Sequence, residues 1–258
     1  MSQHIQTIPA PTPLRRWGQV ALNAAQLAYT LVWTVGCITA ALVVFAVTGG
    51  NRRIPLRMAS WLWARGLLAF SGPFKVEGLD RVDWSQPYVL VANHQSVIDI
   101  CALFRAVPVP LHFLLKQEMT RMPFVNWYAK AMGMVFIRRD DRRAASASLK
   151  RSAELVRSGA IQCIFPEGTR SRDGSVAPFK PGAFQVAIDA GARVLPVALE
   201  GTGEVLPPGG FFRVRRGPIR VSFGSPLPLH QVAGARGRQE LAGRAQAAVE
   251  ALLRTRGS

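Results

Sequence analysis

From about residue 73 onwards, short apolar runs alternate with longer stretches in which apolar residues recur at helical spacing. The short runs have the length of buried strands, and the longer stretches have the length of amphipathic helices. The predicted strands are Tyr88–Ala92, His112–Leu115, Val135–Ile137, Ile161–Phe165, Val194–Leu199 and Ile219–Phe223. The predicted helices are Val97–Arg105, Pro123–Met132, Asp141–Ser158, Pro181–Ala190 and Gln239–Arg254. This alternation predicts an α/β fold, with a mostly parallel, mixed sheet flanked by helices.

The N-terminal part follows a different pattern. No charged residue or histidine occurs from Trp17 through Asn51, and the most apolar part runs from Ala28 to Thr48. A helix over that part spans ~31 Å, which matches the hydrocarbon core of a bilayer. We therefore expect a membrane-embedded helix here. The alternatives are a signal peptide, whose apolar region is shorter, and a buried core helix, which is rarely so long without a charge.

A second helical segment, Ile54–Phe70, is amphipathic and basic. Arg57 and Arg65 fall on one side of the predicted helix, and Trp63 and Leu67 fall on the other. This composition is typical of a helix that lies on an anionic membrane surface. Packing of the apolar side against the globular part is the alternative, and the two are compatible. We divide the chain into a flexible tail (1–16), a membrane helix plus basic amphipathic helix (17–72) and a globular domain (73–258).

Charge narrows the class of partner. The formal net charge is +17 over 258 residues and the isoelectric point is about 11.4. Such a field favours lipid headgroups, phosphorylated metabolites or nucleic acid. No nucleic-acid-binding motif is visible, and the long apolar segment argues against that partner. Because 27 of the 32 basic residues are arginine, genomic base composition is another source of the charge. Three separated cysteines give no metal-binding pattern, so no metal is expected.

The strand predicted to end at Ala92 runs into Asn93-His94-Gln95-Ser96-Val97-Ile98-Asp99. Ligands of open α/β sheets bind where strands end and helices begin, so His94 is a candidate catalytic residue. His94 and Asp99 can meet only if the histidine lies in the turn before the helix and the aspartate in its first turn. An aspartate that accepts from Nδ1–H leaves Nε2 as the base. Alternatively, Ser96 and Asp99 form a capping box with a purely structural task.

Three further segments bring distinctive residues to predicted strands. Phe165-Pro166-Glu167-Gly168-Thr169-Arg170-Ser171 is a polar loop in which a guanidinium suits bidentate phosphate binding and a glycine permits close backbone approach. The alternative is a surface loop with a Glu167–Arg170 ion pair. Gly133–Arg139 delivers an arginine at a strand end. Val194–Val197 carries a proline, which suggests an edge, a bulge or an approaching ligand.

Together the four segments resemble the glycerolipid acyltransferase family, in particular the bacterial 1-acylglycerol-3-phosphate acyltransferases. That family is marked in order by Asn-His-x-x-x-x-Asp, Gly-x-x-Phe-Ile-x-Arg, Phe-Pro-Glu-Gly-Thr-Arg and Val/Ile-Pro-Val blocks. The matching residues are Asn93, His94 and Asp99; Gly133, Phe136, Ile137 and Arg139; Phe165 through Arg170; and Leu195, Pro196 and Val197. The resemblance covers roughly residues 73–225, and only Leu195 departs from the pattern.

The resemblance implies that residues 73–258 are a catalytic domain. It would transfer a fatty acyl group from acyl-CoA or acyl carrier protein to the free hydroxyl of lysophosphatidic acid, giving phosphatidic acid in phospholipid synthesis. Such transfer needs a base near neutral pKa, and His94 oriented by Asp99 qualifies. Without a G-x-S-x-G nucleophile, direct attack by the acceptor hydroxyl is the simplest course. No cofactor is expected beyond the thioester co-substrate.

Further residues are expected to hold the substrates. The acceptor's phosphate or glycerol is assigned to Arg139, Glu167, Gly168, Thr169 and Arg170. Within this group, Glu167 is expected to align Arg170 or to accept a hydrogen bond from an acceptor hydroxyl. The oxyanion of the tetrahedral intermediate needs donors. Lys116 and the backbone N–H groups around His94 are the candidates.

The expected partners are membrane lipids, the thioester donor and a lysophospholipid, and not nucleic acid. More basic residues follow the apolar helix than precede it, which predicts a catalytic domain on the cytoplasmic side of the inner membrane. One alternative is another acceptor, such as a lyso-ornithine lipid. A more distant one is a non-catalytic membrane protein that binds anionic lipid.

Overall fold

The computed structural model describes residues 13–209, 212–229 and 234–254. The strands of this described part are β1 (Phe74–Glu77), β2 (Tyr88–Ala92), β3 (Leu111–Lys116), β4 (Val135–Ile137), β5 (Ile161–Ile164), β6 (Arg193–Glu200) and β7 (Ile219–Phe223). They form a sheet in the order β1-β7-β6-β2-β5-β3-β4. β6 and β7 are antiparallel, and every other neighbouring pair is parallel. The predicted mostly parallel, mixed sheet is confirmed.

β2 lies near the middle of the sheet, and all five of its residues are buried. Leu90 is paired with Leu195 of β6 on one side and with Cys163 of β5 on the other. Since these three strands are parallel, their carboxyl ends lie at the same edge of the sheet. The loops that follow β2 and β5 are therefore brought side by side, at the edge where open α/β sheets bind ligands.

Helices cover both faces of the sheet. They are α1 (Pro13–Val47), α2 (Arg53–Met58), α3 (Arg65–Leu68), α4 (Asp99–Ala106), α5 (Pro123–Ala131), α6 (Arg142–Arg157), α7 (Gln185–Ala190), α8 (Thr202–Val205) and α9 (Gly234–Arg254). One apolar core includes Leu68 of α3, Leu103 of α4 and Ala129 of α5. The other includes α6, α7 and α9. The N-terminal helices and α5 therefore share one face of the sheet.

The six predicted strands and five predicted helices are present. The ends of β2, β4 and β7 are as predicted, and the ends of the other elements are shifted. The largest shift is at α9, which begins at Gly234 instead of Gln239. The segment predicted as a helix over Pro181–Ala190 begins with a 3-10 turn, Pro181–Phe184. β1 was not predicted. Its four residues are half-buried or exposed, so they lack the continuous apolar run that marked the inner strands.

α1 is the apolar N-terminal helix. Its mean hydropathy reaches 2.2 over Trp17–Val47, and by length and composition it can cross a membrane. It begins at Pro13, inside the expected tail of residues 1–16. The rest of that tail lies outside the described residues. Asn23, Cys37 and Ala41 are among the buried positions of α1, so one side of this helix packs along the protein.

The second N-terminal segment is helical from Arg53 to Leu68 but is not a regular α-helix. A π-helical turn, Ala59–Ala64, separates α2 from α3. Ala64 and Leu68 belong to the same core as the sheet, whereas Trp61 is 52% exposed. Packing against the globular domain, one of the two compatible interpretations of this segment, is therefore observed.

Hydrogen bonds join α1 to this second segment and to the domain. The Trp33 indole donates to the Trp63 carbonyl at 3.2 Å, and the Tyr29 hydroxyl donates to the Gly66 carbonyl at 3.1 Å. The Gln26 amide bonds to both the N–H and the carbonyl of Val214, each at 3.0 Å. α1 is thus attached to the domain through side-chain amide, hydroxyl and indole groups as well as apolar contacts.

Gly66→Ala tests this attachment. A Cβ at Gly66 would lie 2.3 Å from the Trp33 ring, so the ring and α1 must move. Overpacking costs about 1–3 kcal/mol, which exceeds the roughly 1 kcal/mol by which alanine is preferred over glycine in a helix. We expect a lower melting temperature in detergent. Gly36→Ala in α1 is the matched control, because a Cβ there has no neighbour within 4 Å. Equal melting temperatures for the two variants would contradict the packing.

Candidate active site

The loop after β2 begins with a buried amide that fixes its position. The Asn93 side chain donates to the Leu199 carbonyl at 2.9 Å and accepts from the Leu199 N–H at 2.8 Å. Asn93 thereby satisfies both backbone groups of a residue in β6, just beyond the pairing of Ala92 with Val197. The chain leaves the sheet at a defined point, and His94 is the next residue.

His94 and Asp99 form a hydrogen-bonded pair. His94 Nδ1 lies 2.7 Å from Asp99 Oδ2, and the Asp99 side chain is fully buried. Asp99 is the first residue of α4, and His94 lies in the turn before it. This is the arrangement that the five-residue spacing requires for contact. Nδ1–H donates to the carboxylate, which leaves Nε2 as the acceptor nitrogen.

The same carboxylate oxygen holds the turn. Asp99 Oδ2 also accepts from the N–H groups of Gln95 at 2.7 Å and Ser96 at 2.9 Å. Half of the predicted capping box forms, because Asp99 accepts from the Ser96 N–H. The Ser96 hydroxyl does not return a bond to the Asp99 N–H: it accepts from the Ile98 N–H at 3.4 Å and donates to the Leu206 carbonyl at 2.6 Å. The same oxygen of Asp99 therefore has both predicted roles: it holds the turn before α4, and it accepts from the His94 ring.

The imidazole of His94 is held on its face as well as at its edge. Its ring stacks on Phe165, with centroids 4.0 Å apart and an interplanar angle of 16°. Its side chain is 18% exposed. No residue in the described part of the chain makes a hydrogen bond with Nε2. The ring is fixed in orientation, and Nε2 is the nitrogen available to a substrate.

Glu167 joins the loops that follow β2 and β5. Its Oε1 accepts from the His94 N–H at 2.6 Å, and its Oε2 accepts from the Ala177 N–H at 2.9 Å. The Ser171 N–H adds a bond to the His94 carbonyl at 2.7 Å. Glu167 is 3% exposed, and this burial raises the pKa of its carboxyl.

Two predictions about this loop need correction. Glu167 makes no described contact with Arg170, so neither the predicted alignment of Arg170 nor the alternative ion pair is observed. Its two oxygens accept from the backbone N–H groups of His94 and Ala177. The N–H groups of His94, Gln95 and Ser96 are likewise bonded to carboxylates. These three donors are therefore not free for an oxyanion.

Two cations converge on Gly168. The Arg139 guanidinium donates to the Gly168 carbonyl. A Cβ at Gly168 would lie 2.7 Å from Lys180 Nζ and 3.0 Å from Arg139 Nη1, and the glycine has a φ of +79°. Only glycine meets both conditions without strain. Lys180 was missed from the sequence, where the one signal was a basic residue directly before a predicted helix.

The remaining predicted site residues are Thr169, Arg170 and Lys116. Thr169 is exposed and Arg170 is half-buried in the loop after β5. Lys116 ends β3, on the far side of β5 from β2, and its ammonium pairs with Glu118 at 2.9 Å. The structure therefore unites His94, Asp99, Glu167, Gly168 and Arg139. No described contact joins Lys116, Thr169 or Arg170 to His94.

The sequence and the fold of this chain can be compared with those of known proteins. A model of the acyltransferase family matches residues 73–200. A lyso-ornithine lipid O-acyltransferase from Pseudomonas aeruginosa is 32% identical over 214 residues, covering 77% of this chain and 80% of that protein. The chain belongs to the acyltransferase family.

Other members of the family are also similar. A chloroplastic 1-acyl-sn-glycerol-3-phosphate acyltransferase from Brassica napus is 39% identical over 153 residues, covering 59% of this chain and 44% of that protein. The chain spans about half the length of such curated relatives. The crystal structure of the LPA acyltransferase PlsC from Thermotoga maritima superposes with a TM-score of 0.78 at 26% identity. The superposition covers 93% of this chain and 98% of the PlsC chain, and it confirms the family resemblance and the fold.

The raised pKa of Glu167 predicts a pH effect on stability. Since its pKa lies above the ordinary 4.5, the folded state binds a proton more readily than the unfolded state. Glu167 thus contributes stability that is present at low pH and is lost as pH rises through the raised pKa. The melting-temperature advantage of the wild type over Glu167→Gln should be larger near pH 5 than near pH 7.5. A difference independent of pH would contradict the shift.

Proposed function

We propose that this protein transfers a fatty acyl group from acyl-CoA or acyl carrier protein to the free hydroxyl of lysophosphatidic acid, giving phosphatidic acid. The observation that carries the proposal is the His94–Asp99 pair, with Nδ1 bonded to a buried carboxylate and Nε2 free of bonds to described residues. Acyl transfer to an alcohol needs a base so placed. The similarity to PlsC adds support for the acceptor.

In this mechanism the acceptor hydroxyl attacks the thioester directly. His94 Nε2 takes the hydroxyl proton as the oxygen bonds to the carbonyl carbon, and Asp99 stabilises the resulting imidazolium. Collapse of the tetrahedral intermediate breaks the carbon–sulfur bond, and the imidazolium returns its proton to the departing thiolate. The histidine is regenerated, and no acyl-enzyme is formed.

Arg139 and Lys180 would hold the acceptor's phosphate. A phosphate monoester carries nearly two negative charges at neutral pH, and the two cations beside Gly168 offer matching charge. Arg170, half-buried in the same loop, can add a bidentate guanidinium. Glu167 would act by positioning the loop, since its carboxylate would repel phosphate.

A second acceptor is favoured by one comparison. The relative that aligns over 77% of this chain is named a lyso-ornithine lipid O-acyltransferase. An ornithine headgroup carries no phosphate, so its binding would depend less on Arg139 and Lys180. The deciding experiment incubates the purified protein with labelled acyl-CoA and both lysolipids, and identifies the products by mass spectrometry. No acylated lipid from any lysolipid would instead support a non-catalytic, lipid-binding protein.

We further propose that α1 lies within one leaflet at the cytoplasmic side of the inner membrane. Its buried positions run from Asn23 to Ala41, and Gln26 bonds to Val214 of the domain. A helix that is buried against the protein at points as far apart as Asn23 and Ala41 is poorly placed to cross the bilayer. Its other side presents exposed Leu31, Val32 and Val43 to lipid.

His94→Ala should lower turnover by at least ~10²-fold, the usual contribution of a general base. Asp99→Asn should lower turnover comparably, because a neutral amide does not stabilise an imidazolium. Acyl transfer from labelled acyl-CoA provides the measurement. Asn93→Ala is the control for loop position, because it removes the β6 contact but no reacting group. Near-normal turnover in a folded His94→Ala protein would refute the mechanism.

Lys180→Met tests phosphate binding. It removes the charge beside Gly168 and keeps the aliphatic stem. A charged hydrogen bond contributes about 1.5–3 kcal/mol, so the KM for lysophosphatidic acid should rise roughly ten- to hundredfold. The KM for acyl-CoA should change much less. Arg172→Met, an exposed position in the loop after β5, is the matched control. A rise confined to the acyl-CoA KM would reassign Lys180 to the donor.

A further inference from the structure

An exposed apolar cluster lies at the start of α5, outside the candidate active site. Met122 is 50% exposed, Phe124 36% and Trp127 52%. The two rings form an edge-to-face pair with centroids 5.0 Å apart. Among the described residues from 73 onwards, Val97 is the one other exposed large apolar residue. We call Met122, Phe124 and Trp127 the α5 patch.

The α5 patch is continuous with the N-terminal helices. The Tyr128 hydroxyl donates to the Pro55 carbonyl at 3.3 Å, and Arg52 Nε donates to the Ala131 carbonyl at 2.8 Å. Residues four apart lie on the same side of a helix, so Phe124 adjoins Tyr128 and Trp127 adjoins Ala131. α1 also packs against α5. The patch therefore extends the apolar surface that α1 and Trp61 present on the same face of the sheet.

Basic side chains surround this surface. Arg121 and Lys130 are exposed at either end of α5, and Arg53 and Arg57 are exposed on α2. No acidic residue precedes Glu77, so no acidic residue of the N-terminal segment opposes Arg53 and Arg57. Arg121 has one acidic neighbour, Glu118. An apolar centre with tryptophan and phenylalanine, edged by Lys and Arg, has the composition of elements that lie in the interface of anionic bilayers.

We propose that the α5 patch is a second lipid-binding surface, which enters the headgroup boundary of an anionic bilayer beside the N-terminal helices. Contact through α5 as well as α1 widens the surface that meets lipid, and this wider contact fixes the tilt of the sheet relative to the bilayer. A single helix leaves that tilt free. The proposal concerns the domain's contact with lipid and does not depend on which lysolipid is acylated.

The test uses the full chain in vesicles, with an environment-sensitive fluorophore on a cysteine introduced at Met122. Cys37, Cys101 and Cys163 are buried, so the introduced thiol is the accessible one in the described chain. Trp127→Cys is a second labelling site in case the first perturbs α5. Glu240→Cys, exposed on α9 at the opposite face of the sheet, is the matched control. Acyl chains brominated near the headgroup serve as the quencher.

We expect the label at 122 or 127 to lose emission in anionic vesicles, because the apolar face of an interfacial helix lies about 5–10 Å deep, at the level of the bromine atoms. The label at 240 should be unaffected, and neutral vesicles should quench the α5 labels less. Unquenched α5 labels would overturn the proposal. So would crosslinking between two α5 cysteines with no quenching, since the patch would then bind a second copy of the chain. This readout requires no acyl transfer and is independent of the proposed function.

Discussion

One oxygen atom organises the site. Asp99 Oδ2 accepts three N–H groups, one from the His94 ring and two from the backbone of the turn before α4. A buried carboxylate is stable only when hydrogen bonds replace its hydration. The fold meets this requirement at Oδ2, with the groups that fix the turn and the tautomer of His94, whereas Oδ1 is buried with no hydrogen-bond partner among the described residues. The position of the histidine and the start of α4 are therefore consequences of one buried charge.

A second buried carboxylate extends this constraint across the sheet edge. Glu167 binds the backbone of His94 from the loop after β5, and its other oxygen binds Ala177. The backbone of the loop after β2 is thus bonded to two carboxylates, those of Asp99 and Glu167. Such a loop cannot supply those N–H groups to a substrate. Donors for developing negative charge have to come from elsewhere, and the cations beside Gly168, in the neighbouring loop, are candidates.

The sequence predicted the parts of the structure that depend on continuous burial. β2 was found with its exact ends because five successive apolar residues are buried on both faces of a parallel sheet. The meeting of His94 and Asp99 followed from spacing. β1 was missed because it is a short, partly exposed edge strand. The tasks of Glu167 and Lys180 were missed because their partners, His94 and Gly168, are distant in sequence and are chosen by tertiary packing.

The helices on the two faces of the sheet differ in how many large apolar residues they expose. α6, α7 and α9 bury their apolar sides against one face, and no large apolar residue on these described helices is exposed. The opposite face is covered by helices that themselves expose Trp61, Phe124 and Trp127. If lipid covers this second face, the sheet lies beside the bilayer, and the edge formed by the carboxyl ends of its strands is reached along the membrane surface. A lysolipid could then reach His94 from the leaflet, while a water-soluble thioester approached from the opposite face.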